Sequence, residues 1–189
     1  NLYAWVMEQR QADVFLTYNG RSFDIPTLNK EFIKYDIGPP SPAHHIDLYP
    51  VVKQKFRFAS NKLDHICEEL KIGKKVRHEG HELWTKCMAG DELAWKKMER
   101  YNRHDVVLLE GLYKRTLPWI EQHPNRGLYQ LSTTPTCTNC GSTKLQSRGV
   151  QTSRTQQYVR YHCQSCGTWS RARFKNGAKN ENVLTQIGG

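Results

Sequence analysis

Apolar positions recur at helical spacing over roughly the first 125 residues, then give way to strand-like alternation. Leu2, Trp5, Val6 and Gln9 predict an amphipathic helix over residues 1–11. Residues 13–18 (DVFLTY) read as a short buried strand. A second helix opens near Asp24 with Pro26 in its first turn, stops at Gly38, and turns Leu28, Phe32 and Ile33 inward. HIDLY at 45–49 reads as a second strand. Ser60 reads as the cap of a helix carrying Leu63, Ile66, Cys67 and Leu70, with Gly73 as its stop and Cys67 in the core. Asp91 begins a helix that continues through YNRHDVVLLEGLYKR and ends before Pro118. Two strands do not make a stable sheet alone, so these need partners elsewhere.

From about residue 122 the character changes. Pro124, Gly127 and STTPT suggest a linker over 122–134. QQYVRYHC and GTWSRARF then alternate as hairpin strands within a module at 135–175, and residues 176–189 read as a frayed tail.

Charge sharpens this division. Residues 1–129 hold 20 Lys/Arg against 17 Asp/Glu, a net +3, whereas residues 130–189 hold 8 against Glu181 alone, a net +7. Such an excess suits a polyanion, although a basic tail also aids solubility. No run of 18 apolar residues exists, so no membrane partner is expected. With no basic, apolar leader either, the expected compartment is the cytoplasm.

Cys137 and Cys140 form CTNCG, and Cys163 and Cys166 form CQSCG, with 22 residues between the pairs. Two C-x2-C knuckles supply four thiolates for tetrahedral Zn2+, and Gly141 and Gly167 let the backbone turn amides toward sulfur. Four closed ligands imply a structural role. Disulfides would need an oxidising compartment, and a thioredoxin-like motif would need one pair near a helix start. Around the knuckles, Arg160, Arg171 and Arg173 alternate with aromatics including Trp169, as single-stranded nucleic acid binding requires. Tyr161 and Trp169 also suit the small core of such a ribbon.

Two carboxylates remain. Asp24 suits a helix cap, and an aspartate such as Asp105 on a charged helix is usually solvated. Yet Tyr101 and Asp105 lie one turn apart, near the face of Leu108, Leu109 and Leu112. A carboxylate and a phenol on a core-facing stripe want a partner, for which a metal ion is the natural candidate.

NGRSFD (residues 19–24) resembles the second motif of the DnaQ-like 3′–5′ exonucleases, a branch of the ribonuclease H-like superfamily. YNRHD (101–105) resembles their third motif in its tyrosine form, and the similarity spans about residues 1–117. The resemblance implies an α/β fold: a partial ribonuclease H-like exonuclease domain at 1–121, followed by a small β zinc ribbon. It implies hydrolysis of DNA or RNA by two Mg2+ or Mn2+ ions, with Asp24 and Asp105 as metal-binding acids. Tyr101 would orient the attacking water, and Asn19 would contact nucleic acid. An exonuclease body joined to a four-cysteine ribbon also resembles phage nucleases.

The family's first motif, D-x-E, belongs upstream of Leu2, and neither Asp13 nor Asp47 stands in that context. On this reading the chain is an amino-terminally shortened nuclease, expected to bind nucleic acid but to cleave it poorly alone. The alternative is a non-catalytic nucleic-acid-binding protein with a zinc ribbon. HEGHE (78–82) is similar to a zinc-protease motif, but its histidines are three apart with Gly80 between them, which excludes that site.

Overall fold

The computed structural model describes residues 14–76, 79–130, 132–172 and 184–187. The helix expected over residues 1–11, and with it Asp13, His78 and Arg173, lies outside the described residues. The architecture is mixed α/β. The chain divides into two compact units, one gathering residues up to Asp47 with those from Thr116 onward, the other comprising Leu48–Arg115.

In the first unit, β1 (Val14–Thr17) pairs in parallel with β2 (His44–Asp47), and Phe15 sits opposite His45. Val14 and Phe15 are each 38% exposed, so β1 is not the buried strand expected. Between the strands, α1 runs over Asp24–Lys34. Its Phe32 is buried, but Ile33 faces out rather than in. The helix ends on Asp36, at φ 53°, with Ile37 N donating to Phe32 O at 2.9 Å. That left-handed residue, not Gly38, is the stop. Aspartate tolerates this conformation better than most side chains.

The second unit is helical, comprising α2 (Leu48–Lys55), α3 (Leu63–Glu69), α4 (His81–Met88) and most of the 25-residue α5 (Glu92–Thr116). The strand expected at 45–49 therefore ends at Asp47, and Leu48 and Tyr49 open a helix instead. Lys62 N reaches Ser60 Oγ at 3.3 Å in a local turn, so Ser60 does not cap α3. The turn after α3 uses Lys71 at φ 57° rather than Gly73, with Ile72 N donating to Cys67 O at 2.8 Å. Asp91 caps α5 as expected, its Oδ1 accepting from Leu93 N and Ala94 N at 2.8 and 3.1 Å. Leu48, Val52, Ile66, Cys67 and Leu112 are fully buried. Each such aliphatic side chain contributes about 1.5–3 kcal/mol. A second cluster joins Leu83, Cys87, Ala94 and Met98, with Tyr101 packed against it.

Beyond α5, the order β3 (Leu145–Thr152), β4 (Gln157–Cys163), β5 (Trp169–Ala172) and β6 (Leu184–Gln186) forms a four-stranded antiparallel sheet. β6 corrects the frayed tail. Leu184 is 2% exposed opposite Ala172, because a small residue on one strand leaves room for a large one on the next. The contacts of this module also reach back before residue 135. Asn125 Nδ2 donates to Leu184 O, and Gln186 Nε2 to Ile120 O.

Candidate metal centre and nucleic-acid face

The four knuckle cysteines come together with all their sulfurs within 4.8 Å of one another. Cys137 Sγ lies 3.6 Å from Cys166 Sγ, and Cys140 Sγ lies 3.6 Å from Cys163 Sγ. Those distances exclude disulfide bonding. A tetrahedron built on a Zn–S bond of about 2.3 Å needs edges of about 3.8 Å, so this donor set fits such an ion. Gly141 and Gly167, at φ 75° and 85°, adopt the left-handed turn that each knuckle requires. Their amides donate back to Cys137 O and Cys163 O at 2.9 and 3.0 Å.

Asn139, inside the first knuckle, is completely buried and donates from Nδ2 to Leu117 O at 2.8 Å and to Ile120 O at 3.3 Å. The knuckle is thereby fastened to the turn Leu117–Trp119. Ser142 Oγ and Ser165 Oγ, 2.8 Å apart, join the two knuckles. The sulfurs are electrostatically unequal. A hydrogen bond from Cys137, with further help from Thr168, holds Cys166 down at about 4. Cys137 is pushed up by the same partner and by burial. Burial raises Cys140 to about 11. Four thiols gathered this closely form a site that a soft divalent cation completes by displacing protons. Cys67, buried and raised to about 11 chiefly by burial, is an inert core thiol as expected.

One face of the sheet carries the expected arginines. Arg160 stands directly opposite Arg171, and His162 opposite Trp169. The Arg160 guanidinium lies 4.8 Å from the Trp169 ring centroid, and the Arg171 guanidinium 4.0 Å from that of Tyr158. His162 stacks on Trp169 with centroids 4.6 Å apart. The result is a checkerboard of cations and rings. Like charges directly opposite one another destabilise a sheet unless an anion lies between them. Arg171 Nη1 is buried with no partner among the described residues. Sequence alternation found Arg160, Trp169 and Arg171. It did not show that each arginine would cover a diagonal aromatic.

In the first unit, Asp24 is an exposed carboxylate in the first turn of α1, with Phe23 rather than Asp24 at the cap. The turn ahead of it is held by Asp47, which is 6% exposed. Asp47 Oδ1 accepts from Asn19 N at 2.7 Å, and Oδ2 from Arg21 N at 2.9 Å. Asn19 itself, at φ 65°, uses the left-handed region that asparagine tolerates. Arg21 Nη2 donates to His45 O at 2.6 Å. Burial, with Arg21 adding to it, lowers the His45 pKa. Asp47 was legible only as a carboxylate beside a strand. Its work is to fix the strand-to-helix turn that presents Asp24.

In the second unit, Tyr101 and Asp105 share one side of α5 and are bridged by Lys75. The Lys75 Nζ donates to the Tyr101 phenol oxygen at 3.0 Å and lies 3.0 Å from Asp105 Oδ2. Burial pulls the Lys75 pKa down, but its hydrogen bonds to Tyr101 and Asp105 more than offset this and raise it overall. Asp105 Oδ1 is buried and has no partner among the described residues. A buried carboxylate oxygen with nothing to accept from fits a metal ligand. Lys75 ends the family-like segment SNKLDHICEELKIGKK (60–75) and sits in a loop rather than in either acidic motif, and no spacing singles it out.

Fold and site together define a mixed α/β protein with a half-buried acid on α5 and a four-cysteine cluster. A model of the RNase_H superfamily matches residues 2–117, well over half of the chain, and the protein belongs to that family. Its members are nucleases that act on nucleic acid with divalent metals. Comparison with curated proteins found no match.

Proposed function

We propose that the protein is a 3′–5′ exonuclease of the DnaQ-like type, working in the cytoplasm, with a C-terminal zinc ribbon that grips its nucleic acid. The observation that carries the catalytic reading is Asp105, half-buried one turn from Tyr101 with an unpartnered oxygen. When bound, Mg2+ or Mn2+ would activate water and neutralise charge on the scissile phosphate. Asp105 supplies a carboxylate for that ion and Tyr101 orients the attacking water through its phenol, while Asp24 is assigned as a metal-binding acid by its motif. Cys137, Cys140, Cys163 and Cys166 hold structural zinc and do no chemistry. The test is digestion of a single strand labelled at one end, with divalent metal and with chelator.

The substrate grip is assigned to Arg160, Trp169 and Arg171, with Asn19 contacting the strand at the body. The paired arginines receive phosphate, and the aromatic partners stack on bases. Arg160→Ala with Arg171→Ala should weaken single-stranded DNA binding and flatten its dependence on salt by a slope of about 1.4 for two lost phosphate contacts. Fluorescence anisotropy over a salt series measures both. Unchanged affinity and slope would move the grip elsewhere.

A further inference from the structure

The backbone ahead of Lys75 is clamped to α5 in two places. Ile72 packs so closely on Gly111 that a Cβ there would lie 2.5 Å from Ile72 Cγ2. About two turns earlier on α5, His104 Nε2 donates to Lys74 O at 2.7 Å. The Lys75 ammonium is thus delivered by a docked loop to a fixed place, where it meets Asp105 Oδ2 and the Tyr101 oxygen and lies 5.3 Å from the Tyr101 ring centroid. An ammonium has donors only, so both oxygens must accept from it. Asp105 therefore presents one oxygen to a cation built into the chain, while the other is buried without a partner.

We propose that Lys75 is a built-in counter-cation and positioning residue for a divalent-ion site at Asp105. It holds the carboxylate and phenol in register and keeps the ion's intrinsic affinity low. An ion next to Lys75 meets a neighbouring positive charge, so it is held weakly alone and more firmly once a substrate phosphate adds negative charge. This inference rests on the reading of Asp105 as a metal ligand.

Mn2+ titration of the full chain, followed by electron paramagnetic resonance without nucleic acid, separates the two ideas. Lys75→Met should tighten Mn2+ binding about tenfold, the effect of one nearby charge in a mostly aqueous dielectric. Lys75→Arg should behave like the parent. Lys75→Gln, which keeps a donor but no charge, should tighten binding as Met does and guards against a misfolded Met variant. Asp105→Asn should remove the Mn2+ binding that Lys75→Met strengthens. If Asp105→Asn removes binding but neither neutral variant tightens it, Lys75 is only a structural ion pair and the proposal falls. If Asp105→Asn leaves Mn2+ binding unchanged in every background, the metal reading of Asp105 falls, and the role of Lys75 with it.

Discussion

Asp105→Asn is expected to slow digestion by the intact protein more than about a hundredfold, the upper range for losing a residue that merely supports a metal ligand. The amide keeps the size of the side chain and can still accept from Lys75, so α5 should stay folded. What goes is the negative charge on an atom that has no other partner among the described residues. Tyr101→Phe should cost less, about tenfold to a hundredfold, because it removes a hydroxyl that positions water and leaves the charges in place. Its ring would still pack against Leu83, Cys87, Ala94 and Met98. Single-turnover rates, with circular dichroism as the control for folding, measure both. Equal losses in the two variants would argue that the pair acts through helix packing rather than through an ion.

Removing zinc should unfold the C-terminal sheet and with it the salt-sensitive grip on single strands. Among the described residues, the module's own buried apolar residues are few, with Ala172 and Leu184 joined by polar residues such as Ser170, Thr168 and Asn139. Metal–thiolate bonding is what a chain of this length has in place of a core, and structural zinc supplies about 10–16 kcal/mol in comparable small folds. Reduced protein should contain one zinc per chain. Cys163→Ser should lose it, along with hydrogen-exchange protection over β3, β4 and β5, while α5 keeps its own. A metal-free protein with the sheet still protected would contradict the assignment.

The parts legible in the sequence are those whose signal is local. The knuckles follow from fixed spacing and from glycines needed at positive φ, and α5 from Asp91 as a cap and a long stretch without Pro. Tyr101 and Asp105 follow from four-residue spacing. The missed features depend on partners distant in sequence. Helix α2 was hidden because HIDLY alternates like a strand, and its Pro50 is tolerated because it lies in the first turn. Strand β6 is three residues long and is defined only by pairing with β5. Gly38 and Gly73 look like better stops than Asp36 and Lys71, yet hydrogen bonds to Phe32 O and Cys67 O place the left-handed residue two positions earlier. Lys75 and Asp47 act through residues 26–30 positions away, and no periodicity reports that.

The polarity of digestion tests the exonuclease reading most directly. The intact protein is incubated with Mn2+ and a single strand labelled at its 5′ end, in parallel with the same strand labelled at its 3′ end. The expected result is a ladder shortening progressively from the 3′ side in the first reaction and immediate release of labelled mononucleotide in the second, both abolished by chelator and by Asp105→Asn. Internal cuts without end release, or a ladder that persists in Asp105→Asn, would contradict it.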